Sequence, residues 1–161
     1  MLLSSHPALR AFLRAWIVSA TLDISSALIY FGIRYGVPAE LIFKNIASGV
    51  FGEAAFQGGA HAVAAGLVFH YVIALGWTTL FYFAYPRVPF LRMNVPLVAL
   101  VYGLVVWAVM NLVAIPLSRV QTGPMHIEEA LIAAAFLVVF IGLPNRFIIG
   151  RYFRHTGEAG K

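Results

Sequence analysis

An all-α, four-helix transmembrane bundle is the fold class this sequence predicts, and three observations predict it. Only 11% of the 161 residues are Asp, Glu, Lys or Arg, and 61% are hydrophobic; an ordinary soluble domain carries roughly 25% charged residues. The charges are also missing from long stretches. Residues 54–86 and 93–118 hold none, residues 130–145 hold none, and residues 15–33 hold only Asp23. Finally, the apolar runs are continuous. A membrane barrel would alternate over strands of about ten residues, whereas a helix in lipid satisfies its own backbone hydrogen bonds. These features exclude a disordered chain and argue against a soluble globular domain.

A bilayer core of about 30 Å needs about 20 residues of helix. The first span is placed at about 15–35 and ends at Gly36-Val37-Pro38. The long connection 38–59 follows. Within it, Ala39–Val50 reads as a short amphipathic helix, with Leu41, Ile42, Ile46 and Val50 on the apolar side and Glu40 paired with Lys44 at i, i+4. It is expected to lie at the outer interface, before a glycine-rich re-entry through Gly49, Gly52, Gly58 and Gly59.

The second span is placed at about 60–85. Gly58, Ala62, Gly66, His70 and Ala74 recur every four residues there, a small-residue seam that admits a neighbouring helix. Pro86 and Pro89 bracket a turn, and the third span, about 95–117, closes at Pro116. Gly123-Pro124 opens the fourth, about 127–150, with Glu128 and Glu129 in its first turn, where the helix dipole favours negative charge. Its charge-free part is short, so Arg146 is expected to snorkel at the far interface, and Pro144 to kink or fray the helix. No repeat, low-complexity segment or second domain is visible, so residues 1–161 read as one integral membrane domain.

Four spans put both termini on one side. That side carries Arg10, Arg14, Arg87, Arg92, Arg146, Arg151, Arg154 and Lys161, against Arg34, Lys44 and Arg119 on the other. The positive-inside rule makes the first side cytoplasmic. Trp16, Tyr35, Tyr82, Tyr85 and Tyr152 fall at span ends, as an aromatic belt does. Arg14 interrupts the apolar run before Val18-Ser19-Ala20, so no cleavable signal peptide is expected. The pI of about 9.9 is explained by flanks facing anionic lipid rather than by nucleic acid. With no cysteine, disulfides, thiolate metal sites and a cysteine nucleophile are excluded.

Polar groups at membrane depth cost at least about 2.5–3.5 kcal/mol when charged, which makes them functional candidates. Asp23 stands near the middle of the first span, and Ser19, Ser26 and Tyr30 share its face. It reads as a protonatable site on a polar path, or as a hydrogen-bonded acid gluing helices together. His70 reaches a matching depth in the second span and could pair with Asp23. It also reads as a proton carrier, an axial ligand to haem or chlorophyll, or a core histidine bonded to a neighbour. His61 is nine residues from His70 and so on the opposite face, and cannot share a ligand with it.

Asn111 in the third span reads as a substrate or ion contact, or as an interhelical hydrogen bond. His126 and Glu129, with Glu53 and Gln57, read as an outer polar cluster or as a solvated rim. The reversed Glu-x-x-His order at a single helix does not make a metal site of it, and none is assigned. No nucleotide-binding, metalloprotease or nucleophile-elbow motif is present, and no catalytic residue or cofactor is assigned.

Ile46-Ala47-Ser48-Gly49-Val50-Phe51-Gly52 through Ala55-Phe56-Gln57-Gly58-Gly59 resembles a family of small bacterial inner-membrane proteins of unknown function. So do Thr21-Leu22-Asp23, Tyr102-Gly103, Met110-Asn111, Pro116-Leu117-Ser118 and His126. The resemblance covers most of residues 15–150. A more distant likeness, through the histidine of the second span and the proline-ended third, is to inner-membrane proteins linked to acid resistance. The resemblance implies a four-helix membrane fold in the bacterial inner membrane and carries no binding residue with it.

The function expected from these residues is non-enzymatic: a protein packing with itself, or as a small subunit of a larger membrane complex, and contacting lipid but no nucleic acid. Two alternatives stand beside it. One is a proton-linked small-solute transporter or channel subunit using Asp23 and His70. The other is a haem, pigment or quinone carrier using His70.

Overall fold

The computed structural model describes residues 7–121, 123 and 126–156. Every element among the described residues is helical: α1 (Pro7–Tyr35), α2 (Ala39–Phe51), α3 (Ala54–Gln57), α4 (Ala60–Ala84), α5 (Val95–Leu117) and α6 (Ile127–Thr156), with a single 3-10 turn at Pro89–Arg92. Pro124 and Lys161, used above to read a helix start and the charge balance, lie outside the described residues. Four helices, α1, α4, α5 and α6, run for 29, 25, 23 and 30 residues and are long and apolar enough to cross a membrane. That is the build of a multi-pass membrane protein.

Two boundaries differ from the sequence reading. α1 starts at Pro7 rather than near residue 15, and α6 continues to Thr156 rather than stopping near 150. Apolar windows mark where a helix can meet lipid, not where its ladder ends. The arginine-rich flanks carry good helix formers. Pro7, lacking an N–H, suits a first helical position, where that group would go unbonded anyway.

Helix ends follow local chemistry. Gly36 adopts φ +66° and terminates α1, its N–H reaching the Gly32 carbonyl at 3.1 Å. Gly52, at φ +61°, ends α2 in the same left-handed region. Asn94 caps α5 by accepting the Leu97 N–H at 3.0 Å.

α5 and α6 each contain a widened π-helical stretch, Met110–Ala114 and Leu137–Gly142. Each lies just before a proline, Pro116 and Pro144. The proline ring clashes with the carbonyl four residues earlier and offers no N–H. Widening the preceding turn is one way to relieve that conflict. Asn111 and Asn145 each donate Nδ2 to a carbonyl four residues back, Trp107 and Ile141, both at 2.9 Å. The expected kink at Pro144 is thus absorbed as a bulge within a continuous helix.

Glycines decide which helices touch through their backbones. A Cβ on Gly66 of α4 would run into the Phe43 carbonyl of α2. One on Gly103 of α5 would strike the Val138 backbone of α6, and one on Gly142 of α6 the Ala99 carbonyl of α5. The seam read in the second span is therefore filled from within the chain. α1 packs on both α4 and α6. α4 and α5 lack such an approach and meet through large side chains, as where Tyr102 Oη donates to the Trp77 carbonyl at 2.5 Å.

A buried aromatic cluster lies toward the end of the bundle that holds the α4–α5 turn and the last turns of α6. There Phe81, Tyr85, Tyr102, Ile149 and Phe153 are buried together. Tyr85 stacks on Phe153 with ring centres 5.1 Å apart, and Phe81 meets Tyr102 edge-on at 4.8 Å. Arg146, expected to snorkel outward, is only 2% exposed. Its Nη2 donates to the Met93 carbonyl at 2.6 Å and the Arg92 carbonyl at 3.2 Å, and its guanidinium lies 5.5 Å from the Tyr85 ring centre. The side chain turns inward because the α4–α5 turn presents carbonyls that no helix donor reaches.

α2 is packed into the bundle more deeply than its pattern suggests. Ala47 and Ser48 are buried, whereas Leu41 and Val50 of the expected apolar side are 38% and 52% exposed. Its far end is tied to the segment after α5, where the Arg119 N–H donates to the Gly49 carbonyl at 3.1 Å.

Candidate functional site

A cavity of about 300 Å³ opens between α4, α5 and α2 and borders the buried cluster through Trp77, Val106 and Ile141. Its origin follows from the packing. Glycines draw α5 to α6 and α4 to α2, and the bulky residues between α4 and α5 leave a wedge unfilled. Most of the wall is apolar: Ile73, Ala74, Trp77, Val106, Met110 and Leu137 contribute to it. Asp23 and His70 enter from one side, and Asn45 and Ser118 from another. The volume is at the lower end of the roughly 300–1,000 Å³ typical of small-molecule sites.

Asp23 and His70, matched in depth by residue counting, do share this cavity. No hydrogen bond or ion pair joins them directly. The direct partner of His70 is elsewhere. Its Nε2 lies 2.8 Å from the Ala20 carbonyl on α1. A carbonyl only accepts, so Nε2 carries the proton, and Nδ1 is the nitrogen left to accept or bind a further proton. Two neighbouring contacts hold α1 and α4 in this register. Trp16 Nε1 donates to the Tyr71 carbonyl at 2.8 Å, and Thr21 Oγ1 meets Tyr71 Oη at 2.8 Å.

The rest of the expected polar face on α1 does not extend the site. Ser19 is fully buried and bonds the Ala15 carbonyl at 2.6 Å, while Ser26 bonds the Asp23 carbonyl at 2.7 Å. Such back-bonding within a helix satisfies a hydroxyl and withdraws it from other work. Tyr30 sits in an aromatic group with Phe31, Tyr35 and Phe136. Asn111 contacts its own helix and is neither an interhelical bond nor a wall of the cavity.

The outer cluster divides in two. Glu53 accepts from Gln121 Nε2 at 3.0 Å and lines a second hollow of about 310 Å³ with Gln57 and Arg119. Glu129 instead accepts from Tyr35 Oη at 3.0 Å, and His126 is an exposed residue preceding α6. Among the described residues, no three His, Asp or Glu side chains converge as metal ligands.

The sequence reading missed Asn45, Gly49 and Ser118 as parts of one site with His70. The sign available was small: Gly49 and Ser118 are compact residues at the ends of apolar stretches, where close approach is possible. Their meeting depends on α2 folding back across α4, which no local pattern reports. No protein-family model, curated protein or solved structure matches this chain.

Proposed function

We propose that this chain is a binding protein of the membrane interior, which takes a small, mostly apolar molecule with one hydrogen-bonding group into the cavity. Asp23 and His70 address the polar group, and the aliphatic and aromatic walls hold the remainder. One observation carries this reading: the two candidate ionisable groups from separate helices meet at a single apolar cavity. A quinone-like ring fits this chemistry: a protonated Asp23 can donate to a ring carbonyl, the hydroxyl of the reduced ring can donate to Nδ1 of His70, and the ring faces are apolar. A tetrapyrrole fits less well. The cavity is small, and His70 Nε2 is already engaged by Ala20.

The resemblance noted in the sequence and the basic flanks support a place in the bacterial inner membrane with both termini in the cytoplasm. The small-residue seams and the 14% aromatic content support self-association or membership of a larger complex. Gly66, Gly103 and Gly142 are taken up inside the chain, so a partner in the membrane would use other faces.

The test uses the full chain in nanodiscs with Trp16 and Trp107 replaced by Phe, leaving Trp77 as the reporter in the cavity wall. A short-tailed benzoquinone should quench Trp77 fluorescence saturably. Asp23→Asn with His70→Ala should weaken the effect at least about tenfold, as loss of 1.4 kcal/mol or more does. Quenching that never saturates, or that is the same in the double variant, removes the proposal. A second reading, proton transfer, rests on the open Nδ1 of His70 and on the Asp23 and His70 side chains lining one cavity. It requires proton flux in proteoliposomes that Asp23→Asn abolishes.

A further inference from the structure

A groove of about 840 Å³ lies between the first turns of α1 and the last turns of α6, remote from the cavity described above. One end is basic. Arg10 and Arg14 stand four residues apart on α1, and Arg151 and His155 four residues apart on α6, so each helix turns two of them to the same furrow. The other end is apolar, walled by Val18, Phe147 and Ile148. No Asp or Glu lines it among the described residues. Arg14 and Arg151 are exposed, and Phe147 is 55% exposed. Tyr152, an amphipathic ring suited to the headgroup level, stands where the two characters meet.

We infer that this groove binds one anionic phospholipid, with the phosphate between Arg14 and Arg151 and an acyl chain against Val18, Phe147 and Ile148. Charge complementarity selects the headgroup: guanidinium forks match phosphate oxygens and hold them by charge-assisted hydrogen bonds. The apolar continuation selects a lipid over a free phosphate, which would leave that half of the groove without an occupant. Basic pockets between membrane helices are a recognised setting for such lipids. The inference needs the chain to be in a membrane and is independent of what the cavity holds.

The full chain would be reconstituted into nanodiscs of mixed phosphatidylglycerol and phosphatidylcholine, and the lipids retained on it counted by native mass spectrometry. The wild type should retain phosphatidylglycerol in excess of its share of the bilayer. Arg14→Gln with Arg151→Gln should lower that excess by about fivefold for each arginine, the weight of one basic group near an anionic surface. Arg87→Gln, an exposed charge outside the groove, should leave it unchanged. An equal excess in the groove variant, an equal loss in Arg87→Gln, or displacement of the retained lipid by millimolar inorganic phosphate would each overturn the assignment. Both substituted arginines are exposed, and an unchanged unfolding temperature in the same nanodiscs confirms that the variant is folded.

Discussion

His70 on α4 and Ala20 on α1 are joined by a 2.8 Å hydrogen bond, three residues before Asp23 on the same helix. The bond orients the imidazole so that its second nitrogen, not its first, is the chemically open one. Replacing His70 with Phe keeps the bulk and removes the donor. Stability should fall by about 0.5–2 kcal/mol, the range of single interhelical hydrogen bonds in membrane proteins, read by denaturation in mixed micelles. Quinone quenching of Trp77 should be lost as well. A His70→Phe protein that binds like the wild type would remove His70 from the site.

The cavity itself can be filled without touching either ionisable group. Ala114 is half-buried in the wall contributed by the widened stretch of α5. Ala114→Phe should intrude into the 300 Å³ cavity and block ligand entry, with any loss of stability staying within the about 1–3 kcal/mol of a small-to-large replacement. Retained saturable quenching in this variant would show that the ligand sits elsewhere.

Gly103 and Gly142 mark where α5 and α6 meet backbone to backbone. Alanine at either position places a methyl inside the neighbouring main chain and should cost about 1–3 kcal/mol, the usual penalty of overpacking. Gly76 is the control, because a Cβ there meets nothing within 4 Å. Gly76→Ala should be neutral or stabilising by up to about 1 kcal/mol through helix propensity. Equal effects at all three positions, measured by thermal unfolding, would contradict the close approach.

Gly150 and Arg146 test the buried arginine. A Cβ at Gly150 would collide with Arg146 Nη1 and come within 3.1 Å of Tyr85 Oη. Gly150→Ala should therefore cost about 1–3 kcal/mol in the wild type and much less beside Arg146→Ala. That coupling is what a double-mutant cycle isolates. An unchanged cost in the Arg146→Ala background would place the strain elsewhere.

The four long helices were legible because absence of charge is a one-dimensional signal, readable without knowing any contact. The meeting of Asp23 and His70 was legible for a similar reason: residue counting gives depth, and depth matched. The placement of α2 was not. Its pattern set Leu41, Ile42, Ile46 and Val50 on the apolar side of an interfacial helix and said nothing of Ala47 and Ser48, which the structure buries against the rest of the chain. In lipid an apolar side chain gains little by leaving the acyl chains, so size and backbone approach decide the contact, not hydropathy. Arg146 misled for the complementary reason. A long basic side chain at a span end is expected to reach for water, and here carbonyls of the α4–α5 turn were nearer. The division of Glu53 from Glu129 was likewise beyond a linear reading, since it depends on which partner, Gln121 or Tyr35, the folded rim brings alongside.

The wall between α4 and α5 is built from Trp77, Val106 and Met110, not from touching main chains. Widening it asks for rotamer changes of the half-buried Trp77 and Met110 and breaks no helix ladder. A guest dissolved among the acyl tails would thus arrive sideways, without first passing through water. Its occupancy would follow how strongly it partitions into the bilayer, so an apparent affinity quoted against aqueous concentration would flatter every greasy compound tested.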